Sequence, residues 1–337
     1  MHDSNENIQS PYLIFLGDSR YAKTAQGVAY WRPERCLGKL QLRGCEAELE
    51  LPEMTLDEAM GRGAKTLVIG VAPIGGQLEE GWIDTLVQAL EAGLDIASGL
   101  HSRITEVAAL REVADQCGRR LFDVRRPTGT FEVGTGQPRS GKRLLTVGTD
   151  CEVGKMYAAL AIEREMRSRG MNADFRATGQ TGILITGGGV SVDAVASDFV
   201  SGATEWLTPA SDDDHWDLVE GQGTLFHPAY AGVTLGLLHG SQPDALVMCH
   251  DPTLTEIDGF PGYPVREPGP CIEAHLEAAR LTNPAVRCVG ISLRTARLDE
   301  QAALSCIKQT GAEFGLPCVD PVRTGVGPIV DLLQELF

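Results

Sequence analysis

Apolar residues come along this chain in short blocks, each closed by glycine or proline and each followed by a stretch with helical spacing. Residues 12–16 and 66–72 are such blocks, of the length at which an apolar run is a buried strand rather than a helix. The second ends at Pro73, Gly75 and Gly76. Trp82, Leu86 and Leu90 then recur on one helical face, and Gly93 stops that helix. Residues 94–97 predict a further strand, Ile104, Val107, Leu110 and Val113 a further helix, and residues 120–124 one more strand. This β-α-β-α-β rhythm is that of a parallel sheet covered by helices, a Rossmann-like unit. The dinucleotide fingerprint G-x-G-x-x-G is missing, so Gly70, Gly75 and Gly76 read as turn chemistry and no dinucleotide is expected.

A stretch rich in Gly, Pro and Ser over residues 126–141 separates this half from the next, predicting an N-terminal domain over 1–135 and a C-terminal domain over 140–337. In the second half a strand at 144–147 leads into a glycine-bearing turn and a helix from Lys155 to a stop at Gly170. Residues 174–178 form a strand leading to an open glycine loop, 178–182. Asp193, Asp198 and Glu205 fall on the polar side of a predicted helix whose Val195, Phe199 and Trp206 face the core. Residues 216–219 deliver Glu220 to the glycines 221 and 223, and strands follow at 245–248 and 286–293, the latter ending at Arg294. Helices are expected around 272–281 and 302–307, with a short amphipathic tail. The fold class is α/β throughout.

The turn at 148–156 carries the most chemistry. Its backbone N–H groups converge, the following helix presents the positive end of its dipole, and Lys155 adds a full charge, a combination that binds phosphate. Gly148, Thr149, Asp150, Cys151, Glu152, Val153, Gly154, Lys155 and Met156 are the candidate cofactor-binding residues. Against Gly-x-x-x-x-Gly-Lys-Ser/Thr, Thr149 departs from the first glycine and Met156 from the hydroxyl that normally holds magnesium. A thioether is a poor ligand for so hard a cation, so a phosphate site is expected and a magnesium site is not.

Composition narrows the partners. A net charge of -17 repels polyanions, which argues against nucleic acid and anionic membranes. The first ten residues lack the basic start and apolar core of a secretory signal, and no apolar run is long enough to span a bilayer, so a cytoplasmic protein is expected. The nine cysteines are dispersed and never spaced C-x-x-C, which fits free thiols in a reducing compartment. Among them Cys151 lies at a helix N-terminus, a position that lowers a thiol's pKa. The run Asp212-Asp213-Asp214-His215 reads as a hydrated loop, and His101, His239, His250 and His275 show no metal-type spacing. No metal is expected.

The phosphate turn, together with Val219-Glu220-Gly221-x-Gly223, resembles the phosphate loop and acidic strand end of dethiobiotin synthetase-like P-loop enzymes, which implies a P-loop NTPase-like α/β fold for the C-terminal domain. The wider set resembles the D-glutamate N-acetyltransferase family: residues 177–182, Asp193-Ala194-Val195, Phe226-His227-Pro228, Leu238-His239-Gly240 and residues 290–293. That resemblance implies transfer of acetyl from acetyl-CoA to the amine of D-glutamate, giving N-acetyl-D-glutamate in D-glutamate catabolism. An ATP- and magnesium-dependent ligase or kinase, and a non-catalytic nucleotide- or CoA-binding regulator, are the competing readings. Acetyl transfer needs a base, oxyanion donors and cations for two carboxylates. Glu220 and His227 are the base candidates, with Asp193 behind them. Gln180, Thr181, Arg176, Arg294 and Arg323 are the substrate-binding candidates. A homo-oligomer is a further expectation.

Overall fold

The computed structural model describes residues 7–71, 76–127 and 129–337. Ala72, Pro73 and Gly75, assigned above to a strand end and its turn, lie outside the described residues, as do Thr128 and residues 1–6. The chain divides into two compact units.

The first unit takes residues up to 127 and adds Gly179–Ala194. It contains β1 (Tyr12–Gly17), α1 (Lys23–Trp31), β2 (Cys36–Gln41), α2 (Leu56–Gly61), β3 (Thr66–Ile69), α3 (Ile83–Glu91), β4 (Asp95–Ser98), α4 (Ala108–Cys117) and β5 (Leu121–Asp123). The five strands are parallel in the order β2-β1-β3-β4-β5. β1 is buried along its whole length because helices cover both faces of a parallel sheet, which is why it reads as an unbroken apolar run. Gly70 serves packing rather than a turn. A Cβ there would stand 2.7 Å from both the Ala25 Cβ and the Ile14 Cγ2, so its absence lets α1 close on the sheet. Lys23 and Thr24 open α1.

The second unit comprises residues 129–178 and Val195–Phe337. Its elements are β6 (Lys142–Gly148), α5 (Lys155–Ser168), β7 (Ala173–Arg176), α7 (Val200–Leu207), β8 (Trp216–Val219), α8 (Ala231–Ser241), β9 (Ala245–His250), α9 (Pro268–Ala279), β10 (Arg287–Leu293), α10 (Glu300–Phe314), β11 (Cys318–Val319) and α11 (Gly327–Leu336), while α6 (Gln180–Thr186) belongs to the first unit. All six strands are parallel, in the order β11-β10-β9-β6-β8-β7. The chain leaves β6 toward β7 on one side and later builds β9, β10 and β11 on the other. The strand order therefore reverses at β6, the place where open α/β sheets bind ligands beyond the strand ends.

Two expectations fail here for packing reasons. Phe199 and Trp206 do not face the core. They stay 36% and 41% exposed while Val200, Ala203, Thr204 and Leu207 form the buried face of α7, because the chain turns twice through 3-10 geometry before the helix starts and shifts its phase. Trp206 instead packs edgewise on Phe131. Gln180 and Thr181 do not sit in an open loop but begin α6.

His275 in α9 makes stability depend on pH. Its Nδ1 donates to the Cys271 carbonyl at 2.6 Å, its Nε2 has no partner among the described residues, and burial brings its pKa down to about 4. An unfolded histidine protonates near 6.5, so the unfolded chain takes up a proton that the folded one refuses. Stability is then fully present above pH 6.5 and falls as pH drops toward 4, by about 3 kcal/mol from this residue alone. Urea midpoints at pH 7 and 4.5 should show that loss, and His275→Phe should reduce it. Equal slopes in both proteins would refute the assignment.

Candidate functional site

The site is built at the carboxyl end of β6. Gly148 ends the strand where a Cβ would lie 2.7 Å from the Val153 side chain and 3.2 Å from the Asp150 carbonyl, so only glycine lets the turn fold back on itself. Gly154 has φ +93°, the left-handed region that favours glycine, and places α5 with no side chain capping its first N–H groups. A helix start without a side-chain cap is a place where an anion can be met.

Thr149, at the position of the first glycine, is fully buried. It ties the turn to the end of β9, its N–H donating to the Cys249 carbonyl at 3.0 Å and its hydroxyl bonding His250 Nδ1 at 2.9 Å. Asp150 is also fully buried, and each carboxylate oxygen accepts a backbone N–H, from Cys151 at 2.7 Å and from Asp258 at 2.9 Å. Lys155 folds back across the turn, its Nζ donating to the carbonyls of Asp150 at 2.6 Å and Cys151 at 2.8 Å. Burial lowers its pKa. An anion arriving beside it would favour the charged form and so bind more tightly.

Neighbouring strand ends complete the site. Glu220, just past β8, is buried, and its Oε2 accepts the Thr178 N–H at 2.9 Å while its carbonyl accepts the Thr178 hydroxyl at 2.7 Å. Gln222 donates to the same hydroxyl at 3.2 Å. Gly221 donates its N–H to Thr146 Oγ1 at 3.1 Å and passes so close to β6 that a Cβ would overlap the Thr146 carbonyl oxygen and stand 3.1 Å from Lys155 Cδ. Arg294, past β10, donates to the Glu152 carbonyl at 3.1 Å and reaches Asp251 at 3.5 Å. His227 arrives from the loop between β8 and α8. A ring nitrogen of His227, the Cys151 thiol and an Asp150 oxygen lie within 4.8 Å of one another.

The sequence candidates separate accordingly. Residues 148–156, Glu220, His227 and Arg294 come together in the second unit. Arg176 is instead engaged by the buried Asp217, at 2.6 Å, and Arg323 donates to Thr295 and to the Leu298 carbonyl. Gln180, Thr181 and Asp193 belong to the first unit, where Asp193 accepts from Ser191 and lies 4.0 Å from Arg125. Cys151 departs from expectation: burial outweighs the nearby Lys155 and pushes its thiol up, which leaves it a weak nucleophile. Sequence reasoning missed Asp251, Asp258 and Gln222. Asp251 directly follows β9, which runs past the predicted end at 248 to His250, so proximity to a strand end was the available signal; Asp258 lies in an irregular segment and had none.

Comparisons with known proteins agree along the whole chain. The DUF1611_C P-loop domain, a domain of unknown function, matches residues 132–330, and the DUF1611_N Rossmann-like domain matches residues 40–127. A D-glutamate N-acetyltransferase of Tritonibacter scottomollicae is 52% identical over 332 residues, covering 98% of this chain and all of the relative. Another from Pseudoalteromonas sp. is 47% identical over 328 residues, covering 96% of this chain and 98% of the relative. The crystal structure of a DUF1611 family protein from Anabaena variabilis superposes with a TM-score of 0.82 at 32% identity, covering 97% of this chain and all of that one. Matched in both halves by one pair of domain models and end to end by these relatives, the chain belongs to the DUF1611 family.

Proposed function

We propose that this protein transfers acetyl from acetyl-CoA to the amine of D-glutamate, yielding N-acetyl-D-glutamate and CoA in D-glutamate catabolism. The names of two relatives at about half identity support N-acetylation of D-glutamate. The donor is argued from the site: a phosphate turn with Lys155 in place but Met156 where a magnesium-binding hydroxyl would stand. Coenzyme A carries a diphosphate that must be neutralised but is never cleaved, so it needs the cradle and not the metal. The turn anchors the carrier, and the chemistry runs at its far end.

There the deprotonated amine attacks the thioester carbonyl, the C–N bond forms, and the tetrahedral intermediate collapses with loss of the C–S bond, a proton of the attacking nitrogen ending on the departing sulfur as the CoA thiol. Groups that touch the turn belong to the anchor in this reading. Glu220 positions Thr178 and contributes negative charge near Lys155. Glu220→Gln should therefore change CoA affinity more than turnover. Nine unpaired cysteines support a reducing, cytoplasmic setting.

A thiol-release assay tests the proposal. Acetyl-CoA with D-glutamate should release thiol at a rate unchanged by a chelator, and L-glutamate should react at least about tenfold more slowly, one lost substrate contact. The proposal fails if D-glutamate releases no thiol, or if ATP with magnesium stabilises the protein to heat and CoA does not.

A further inference from the structure

Residue type alone makes His227 a base candidate, and its surroundings speak for another role. Its Nδ1 accepts two backbone N–H groups of its own loop, from Ala229 at 3.1 Å and Tyr230 at 3.2 Å, as the chain enters α8. A nitrogen that accepts has no proton of its own, so the single proton of the neutral ring is on Nε2. The ring is held in that orientation, stacked on Tyr230 at 4.4 Å between centroids and met edge-on by Phe260 at 4.8 Å. It is 3% exposed, and both of the hydrogen bonds its ring makes with Ala229 and Tyr230 are at Nδ1, not Nε2.

From this geometry we infer that His227 is a fixed-tautomer hydrogen-bond donor, whose Nε2–H serves a phosphate oxygen of the anion held by the turn at 149–156. The inference rests on the reading of that turn as an anion cradle. Two other roles conflict with the same hydrogen bonds. A general base needs a lone pair on the nitrogen facing the substrate, and here that nitrogen carries the proton. A metal-bound imidazole keeps its remote nitrogen as an N–H donor, whereas Nδ1 of His227 accepts. The Asp150, Cys151 and His227 set therefore does not fit a metal.

Burial is the main influence on the titration of the ring. Burial lowers its pKa, the Asp150 carboxylate opposes that, and the Lys155 ammonium adds to it. Cys151 and Asp258 complete the titratable groups at the turn, the first with its thiol pushed up and the second bonded through its backbone N–H to Asp150.

Two measurements test the inference. In protein labelled with 15N at histidine, the His227 ring should show Nδ1 unprotonated and Nε2 protonated at pH 8. The opposite tautomer, or a protonated ring at that pH, would overturn it. Binding of CoA and of inorganic pyrophosphate should then be measured by calorimetry for wild type, His227→Asn and Lys155→Met. Asparagine retains a side-chain oxygen to cap the loop's N–H groups but lacks the reach of Nε2. His227→Asn should unfold within a few degrees of wild type and bind about tenfold more weakly, one hydrogen bond to a charged group. Unchanged affinity in His227→Asn with loss in Lys155→Met would sink the donor role and leave the cradle standing. No binding of either probe by wild type would sink the cradle itself.

Discussion

Gly221→Ala should fail to give a stably folded protein, or give one that melts far below wild type. The added methyl would overlap the carbonyl oxygen of Thr146 and press on Lys155, and neither is the free end of a flexible side chain. Thr146 lies within the central strand, paired with β9 through Val247, and Lys155 is fixed by two carbonyls. To make room, β8 must move off β6 and carry Glu220 with it. Overpacking of a well-filled core costs about 1–3 kcal/mol and more where backbone must shift, so a loss of at least about 3 kcal/mol is expected. Chemical denaturation measures it. Gly232→Ala is the control, because nothing lies within 4 Å of the position its Cβ would take. Equal midpoints for the two variants would show that the close approach of β8 to β6 is not as described.

Lys155→Met should abolish most CoA binding while the protein stays folded. Methionine keeps most of the buried stem and removes the ammonium, which supplies the one full positive charge within the turn itself. Hydrogen bonds to charged groups contribute about 1.5–3 kcal/mol, and the lysine offers a diphosphate more than one, so affinity should fall by about 30-fold or more. The carbonyls of Asp150 and Cys151 also lose their partner, which costs about 1–3 kcal/mol of stability where they cannot reach water. Calorimetry and thermal melts separate the two effects. CoA affinity within twofold of wild type would remove the turn from the binding site. Met156→Thr should leave CoA binding intact, since the hydroxyl it restores serves a metal that the carrier does not need.

The two base candidates show how far residue chemistry carries by itself. Glu220 and His227 were chosen because carboxylates and imidazoles beyond strand ends do acid-base work, and both do lie beyond a strand end. Their roles depend on what each atom already touches. Glu220 accepts from Thr178, 42 residues away in sequence, and the proton position on His227 follows from two N–H groups that point at its ring only because the loop turns into α8 there. Arg176, Arg294 and Arg323 look alike in sequence, each at or near a strand end. Asp217 engages the first, the Leu298 carbonyl and Thr295 hold the third, and only Arg294 of the three touches the phosphate turn.

By itself the sequence determined the parallel α/β class, the strand-to-helix turn at residues 148–156 and the conflict between Met156 and magnesium, because each rests on neighbours along the chain: apolar run length, glycine placement and the identity of one side chain. Only the tertiary structure decided that residues 179–194 leave the P-loop unit for the first one, that Gly70 serves close packing, and which polar groups are already paired. Those outcomes depend on contacts between segments far apart in sequence. Local pattern can place a functional group at the end of a strand, but its proton, its charge and its free hydrogen bonds are set by what folds against it.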